Sequence, residues 1–571
     1  MKNKWTGLIV ILLWAVLALC AVFSMREKSA TYDELPHLGH GYYYLNTGEC
    51  TPSTPLVNIM ANIPLLFLDL GFPRINQDAD WQNLEAWGYR FGRELLYENN
   101  EDADKILFWG RIPIVLISLL GGLVVFKWAE ALYGKRAGIF ALFLYCLSPN
   151  ILAYCRLVTH DLAVSAFIVL ALYQFWLFKG EPSFRNLLFA GLGLGLALSS
   201  KHTTFLILPT YLLYGFKLTS NRQRCGIFLI FLIGFFILGL CSQFSFIDYF
   251  KGFLGLGAQA RSSFLMGEAG WGWWYYFIVA FLIKTPIPTL IFILMSLFFF
   301  KRIRSKDIGD EFLLIMPILT IFGMASYSRF NIGLRHILPI YPLIFVFVSK
   351  VANLRVKGAK LLIPLLCGWY LISSLNIYPH YIAYFNELVG GPRNGYRYLV
   401  DSNLDWGQDL KGLKRWMDEE GLDRIYLAYY GTASQDYHLP SYQYLPGIGW
   451  AKTDGSHVLP LNVDREMLAI SVHLLVVARY PVELPTLQYR PAKGIYSWLK
   501  KYEPVARIGY SIHIYDITND PFAHKKLGEI YLNCPGGPLL EEALREYKKV
   551  LELDPDDRMA REMIRKLRGG P

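Results

Sequence analysis

Charge is scarce in this chain. Only 18% of its 571 residues are Asp, Glu, Lys or Arg, and they gather between long apolar runs. With 54% hydrophobic residues and a mean hydropathy of +0.30, a soluble globule is excluded, because it could not hide so many runs of about twenty apolar residues. A framework of paired cysteines is also missing. Cys20, Cys146, Cys225, Cys241 and Cys367 lie inside apolar runs and read as small core residues, while Cys50 and Cys155 would both face outward, where a disulfide could join them. No small-residue cleavage site follows the first apolar stretch, 5–23, so it reads as a retained helix and not a signal peptide. A convincing inverted repeat or pair of broken helices, the mark of many transporters, is not visible. The net charge of +10 does not indicate nucleic acid, since Lys and Arg occupy short loops between alternate apolar runs, which is an orientation signal.

The apolar stretches run approximately 5–23, 106–126, 138–153, 161–178, 187–200, 204–216, 226–242, 274–300, 312–328, 337–349 and 360–377, predicting a polytopic α-helical membrane protein of about eleven spans. The basic connections are Lys135-Arg136, Lys179 with Arg185, Lys217 with Arg222 and Arg224, 301–304, and Lys350 with Arg355, Lys357 and Lys360. With the amino terminus cytoplasmic, all of these fall inside, and the carboxy-terminal region lies outside.

Three regions follow from this threading: a transmembrane region, 1–376, with a long first outer loop, 24–105; an extracytoplasmic α/β domain, 377–520; and a helical segment, 521–571. The short apolar run 56–70 of the first loop suits helices lying in the interface. In the α/β domain, 425–430, 474–478 and 512–517 read as strands and 406–420 as a helix. In the last segment Leu527-Gly528, Tyr531, Ala543, Tyr547 and Pro555 resemble one tetratricopeptide repeat with an insertion at 534–538. Such a helical hairpin cannot bury its own face, so it must dock on the domain, on a protein partner or on another copy.

The threading sorts isolated charges by side, and the outer side collects both signs: Asp33, Glu34 and Asp161, with Lys201, Arg335 and His336. Lys284 lies in the outer half of an apolar run, where a charge costs roughly 2.5–3.5 kcal/mol and usually faces a cavity or an anion. A glycosyl or phosphoryl transfer site needs this mixture, because a carboxylate must take the acceptor hydroxyl's proton and cations must hold the phosphate leaving group. Structural roles compete with these readings. Thr31-Tyr-Asp33-Glu34 fits a capping box, Asp161 could cap its helix, and Lys201 and Arg335 could snorkel from helix ends. Glu34, His37 and His40 share a spacing that a divalent metal could use, although four-ligand spacing is not evident.

Tyr32-Asp33-Glu34-Leu35-Pro36-His37-Leu38, with Gly41 and Gly48, resembles the first-loop motif of GT-C glycosyltransferases. The nearest resemblance is to the family of protein O-mannosyltransferases and lipid A aminoarabinose transferases. Leu132 to Gly138, Ser148-Pro149-Asn150, Thr159-His160-Asp161, Gly195 to Lys201, Lys284-Thr285-Pro286 and Arg335-His336 with Pro339 extend the likeness over about residues 1–376. The resemblance implies an inverting transferase of GT-C type in a bacterial inner membrane. It would use a polyprenyl-phosphate-linked sugar donor and a protein, lipid or glycan acceptor, without a nucleotide site. Carried over, it implies Asp33 as base, Glu34 and Asp161 as further acids, and Lys201, Lys284, Arg335 and His336 as substrate or phosphate contacts. The chain departs from the pattern at 51–56, where relatives carry a His- or Asn-Pro-Pro. Two other classes compete: a transporter or lipid-carrier translocase, which would also place charges inside spans, and a non-catalytic scaffold for envelope assembly with the terminal repeat as its hook.

Overall fold

The structure is a computed structural model, describing residues 2–49, 55–74, 84–216, 220–247, 249–251, 254, 261–446, 465–478, 494–534 and 538–569. All eleven apolar runs fold as helices, which makes the chain a polytopic α-helical membrane protein. Six are long and apolar enough to cross a bilayer on their own: Trp5–Arg26, Ala103–Tyr133, His160–Gly180, Asn221–Cys241, Ile308–Tyr327 and Ala359–Asn376.

The others are shorter or broken. The run 274–300, expected as one span, is two helices, Tyr276–Lys284 and Ile287–Phe298, bent by 108°. Pro286 and Pro288 lack the N–H groups that would carry the ladder through the break. The run 138–153 likewise divides at Ser148-Pro149, where the Ser148 hydroxyl accepts from Ile151 N at 3.4 Å and caps the short helix Pro149–Tyr154.

Helix His160–Gly180 shows how the bundle separates its charges. Asp161 is at its start, and Lys179 near its end pairs with Asp310 at 2.7 Å. At 1.5 Å per residue the two lie about 27 Å apart, close to the thickness of a hydrocarbon core. The buried Lys350–Glu311 pair (2.8 Å) joins the Lys179 end. In the segment after the first span, helices Glu34–Thr47 and Leu84–Arg93 pack closely because Gly92 has no side chain, where a Cβ would stand 2.1 Å from Leu35 O.

Seven strands occur among the described residues: β1 (Ser263–Leu265), β2 (Glu268–Gly270), β3 (Ile425–Ala428), β4 (Tyr442–Tyr444), β5 (Met467–Ser471), β6 (Ala506–Ile508) and β7 (Ile512–Asp516). β1 and β2 form a hairpin, and the rest form a mixed sheet in the order β4-β3-β5-β7-β6, with β3 parallel to β4 and β5 and β7 antiparallel to β5 and β6. The stretch 474–478, expected as a strand, lies in and just after helix Val472–Val477, and the strand is the segment before it. The ladder runs out there: Ile470 pairs with Ala428 at the end of β3, and Ser471 pairs with Ile512 at the start of β7. Beyond them a helix satisfies the backbone that neighbouring strands no longer can.

Helices Pro521–Leu532, Leu540–Leu553 and Arg558–Leu567 follow the sheet. Leu527, Tyr531, Ala543 and Tyr547 share one apolar core with Tyr426, Leu468 and Leu475. The face that the sequence reading offered to a protein partner is therefore covered by the chain's own sheet. His524 fastens the joint, its Nδ1 2.7 Å from Glu546 and its Nε2 3.3 Å from Glu466, and Tyr426 OH donates to Glu546 at 2.9 Å.

Candidate active site

The segment 28–33 leaves the first helix and is stitched to 406–409. Ser29 N donates to Gln408 O at 3.0 Å, Tyr32 N donates to Trp406 O at 2.9 Å, and Lys28 pairs with Asp409. These bonds fix where the adjacent carboxylates of Asp33 and Glu34 point, and they point to different places.

Glu34 is fully buried and surrounded by donors. Oε1 accepts from Arg111 Nε (2.8 Å) and Val158 N (2.9 Å); Oε2 accepts from Arg111 Nη2 (2.6 Å), Thr31 N (2.8 Å) and Thr31 Oγ1 (3.0 Å). The capping box expected at Thr31 does not form, since the helix starts at Glu34 after Asp33 and Thr31 Oγ1 donates to the Glu34 carboxylate. Burial alone would raise the carboxyl pKa, but the charge and hydrogen bonds of Arg111 outweigh it and hold the group below its ordinary value. Arg111 also donates to Met25 O (2.9 Å) and Ser29 O (3.0 Å), tying the helix Ala103–Tyr133 to the turn before Asp33. Five donors on two oxygens use the hydrogen-bonding capacity of the Glu34 carboxylate, whereas Asp33 keeps an open side.

Asp33 is open by comparison, with 21% of its side chain exposed. Arg335 Nη1 donates to its Oδ2 at 2.6 Å, and Tyr89 OH lies 3.5 Å from its Oδ1. The same Nη1 is 3.6 Å from Asp161, whose buried carboxylate accepts from Lys201 Nζ at 2.5 Å. Asp33, Asp161, Lys201 and Arg335 thus form one alternating charge cluster where four separate segments meet. The Arg335 guanidinium lies 4.4 Å from the centre of the Trp406 ring, and its buried Nε has no hydrogen-bond partner. The turn Leu334–Ile337 that carries it is pinned by Leu334 N donating to Asn403 Oδ1 at 2.9 Å. Gly333 permits the approach, since a Cβ there would lie 2.1 Å from Ser402 Oγ.

His336, next along, is buried with an unbonded Nε2 and shares an apolar cavity with Leu206, Phe277, Ile321, Met324 and Phe330. Burial lowers its pKa well below the ordinary value, and the charges of Lys201 and Arg335 lower it further.

Lys284 stands apart. Its Nζ donates to Ile382 O (2.7 Å) and Asn403 O (2.5 Å) and lies 4.5 Å from the centre of the Phe385 ring. The Lys284 amine donates to backbone carbonyls and holds the 382–403 segment, and among the described residues it makes no hydrogen bond or ion pair with a member of the cluster.

The metal reading also fails geometrically. Glu34 is taken by Arg111, His37 faces His160 with ring centres 4.2 Å apart, and His40 packs against Trp87 at 5.4 Å. Among the described residues no group of three His, Cys, Asp or Glu side chains could hold an ion. Cys50 and residues 51–54 lie outside the described residues, while Cys155 is buried with its Sγ donating to Leu152 O at 3.6 Å.

Sequence reasoning missed the groups that close the site from the sheet side. Asp401 has a left-handed backbone (φ +58°), a conformation that a non-glycine residue adopts at a cost, and Tyr430 OH donates to its Oδ2 at 3.2 Å. Burial raises the Asp401 pKa to about 6, against the opposing pull of Arg335. Tyr430 lies between Tyr32 (5.4 Å, interplanar 23°) and His473 (3.8 Å, 11°), forming an aromatic wall beside Asp33. The dense acidic run Asp401-Ser-Asn-Leu-Asp405-Trp406-Gly-Gln-Asp409 was the one available signal, but nothing local in it indicates which acid meets Arg335.

Residues 103–246 match the model of the dolichyl-phosphate-mannose-protein mannosyltransferase family. The glycosyltransferase likeness read from the sequence motifs holds, and the segment that matches contains Asp161 and Lys201. No curated protein is matched by the chain. Similar solved structures include ArnT from Cupriavidus metallidurans bound to undecaprenyl phosphate, with 12% identity, coverage of 90% of this chain and 98% of that one, and a TM-score of 0.43. Another is the archaeal oligosaccharyltransferase AglB from Archaeoglobus fulgidus in complex with an inhibitory peptide and a dolichol-phosphate, with 14% identity, coverage of 73% and 58%, and a TM-score of 0.42.

Proposed function

We propose that this protein transfers a sugar from a polyprenyl-phosphate carrier to an acceptor hydroxyl at the outer face of a bacterial inner membrane, with inversion at the anomeric carbon. The observation that carries this reading is Arg335, which bridges the partly exposed Asp33 and the buried Asp161–Lys201 pair, while its neighbour His336 lines an apolar cavity.

In the proposed step the acceptor oxygen attacks the anomeric carbon while its proton passes to Asp33, and the bond from that carbon to the carrier phosphate breaks. Charge accumulates on the departing phosphate, where Arg335 and Lys201 stabilise it best in a site from which water is excluded. Asp161 holds Lys201 in place and is a positioning residue. The apolar cavity beside His336, of about 80 Å³, marks the side from which the carrier's hydrocarbon chain would approach. A cleft of about 300 Å³ on the other side, lined by Leu35, Tyr89, Arg90, Thr432 and Gln435, leads the acceptor to Asp33. The membrane orientation assumed here is the one set by the basic loops.

Purified protein incubated with labelled polyprenyl-phosphate sugars and cell-envelope acceptors should release free carrier phosphate without a second compartment, which a transporter would require. No release with any donor and acceptor pair would reject the transferase reading.

A further inference from the structure

A second cavity, of about 700 Å³, opens between the β1–β2 hairpin, the turn Pro392–Arg397, the helix Val472–Val477 and the strands β6 and β7. Arg393, Arg397, Lys500 and Arg507 line it against one acid, Glu503. Arg507 pairs with that acid at 3.2 Å, and the other three cations have no ion pair within 4 Å among the described residues. The buried Nε of Arg507 has no hydrogen-bond partner. Four cations around one concavity repel each other, and within a Debye length that repulsion is relieved by an anion. Phe264, Tyr396, Tyr502 and Tyr515 are interleaved with them, offering ring faces of the kind that stack on the flat faces of a saccharide.

Two walls of this cavity continue into the candidate active site. The turn carrying Arg393 and Arg397 runs on to Asp401, and Leu475 and Val476 follow His473, which stacks on Tyr430. We infer that the cavity is a recognition site for an anionic glycan, a saccharide bearing phosphate or carboxylate groups, which forms part of the acceptor. The role as acceptor rests on the transferase reading above; the binding of an anionic saccharide does not.

The test titrates the full-length protein in detergent with three probes: oligogalacturonate, phosphorylated maltohexaose and neutral maltohexaose. Wild type should bind one or both anionic probes at least tenfold more tightly than the neutral one, with affinity falling as salt rises; the carboxylated and phosphorylated arms identify which anion is read. The triple variant Arg393→Gln, Arg397→Gln, Lys500→Gln should lose tenfold or more in anionic affinity, whereas Asp33→Asn should keep it. Release of carrier phosphate with a small neutral acceptor should be the same in wild type and the triple variant. Equal binding of neutral and anionic probes, binding of neither, or unchanged anionic affinity in the triple variant would each overturn the inference. A failure of the transferase reading alone would appear differently, as anionic binding without carrier release from any acceptor.

Discussion

Asp33 and Glu34 are neighbours in sequence with the same functional group, yet they occupy opposite electrostatic situations. Glu34 has five donors on its two oxygens and no exposed surface, whereas Asp33 has one charged donor and an open side. A saturated carboxylate has no lone pair left for a substrate proton, so burial and charge alone do not mark a catalytic acid. What distinguishes the reactive candidate is unused hydrogen-bonding capacity facing a space that a substrate can enter.

The comparison breaks most directly at its two members. Asp33→Asn keeps the volume and the contact with Arg335 while removing the proton acceptor, so transfer should fall by roughly 10²–10⁴-fold with an unchanged unfolding temperature. A variant that turns over normally would remove Asp33 from the chemistry. Glu34→Gln should behave in the opposite way. It leaves the buried Arg111 guanidinium without its counter-charge, a change that costs about 3–5 kcal/mol, so the main result should be a lower unfolding temperature and poor yield. Equal stability of the two variants would mean that the saturated cage contributes nothing.

The same contrast explains what could be read from the residues alone. Asp33, Asp161, Lys201 and Arg335 were found together because hydropathy and the basic loops placed them at the same end of the helices, and in the structure they meet within 3.6 Å. The partners of Glu34 and Lys284 are not legible from the sequence, because Arg111 and Val158 in one case and Ile382 and Asn403 in the other are far away in the chain. Asp401 was overlooked because Asp-Ser-Asn looks like an ordinary turn, and its strained backbone and its proximity to Arg335 exist only after the 401–409 segment docks on 28–33. The helical runs were legible from composition, but their breaks at Ser148-Pro149 and Thr285-Pro286 depended on proline positions that hydropathy averages away.

A third saturated charge sharpens the lesson away from the membrane. His524 is buried between Glu466 and Glu546; burial by itself would lower its pKa, but the two carboxylates reverse this and raise it to about 9. Because the folded value lies above the ordinary 6.5, the stabilisation is fully present below about pH 6.5 and is lost as the pH rises through about 9, amounting to about 3 kcal/mol overall. Protection factors of amides in helices Pro521–Leu532 and Leu540–Leu553, taken relative to the intrinsic exchange rate at each pH, should therefore fall between pH 7 and 10, and His524→Gln should flatten that dependence. Protection independent of pH would mean that the ring is neutral in the folded chain.

The smallest effect compares two lysines. Lys284 donates to two carbonyls, while Lys201 gives one bond to Asp161 and retains donors toward the cluster. Lys284→Met leaves two buried carbonyl oxygens with one partner fewer but also removes a buried charge, so the net loss of stability should be only about 1–2 kcal/mol. Donor affinity in that variant should match wild type. Lys201→Gln retains a hydrogen-bond donor for Asp161 but withdraws a positive charge from the proposed phosphate position, and should weaken donor binding about tenfold, or about 1.4 kcal/mol. Equilibrium binding of a labelled polyprenyl phosphate to both variants separates the cases. Weakened binding in Lys284→Met would show that a carbonyl-saturated ammonium still reaches the carrier, and the distinction between saturated and open charges would then fail as a guide to this site.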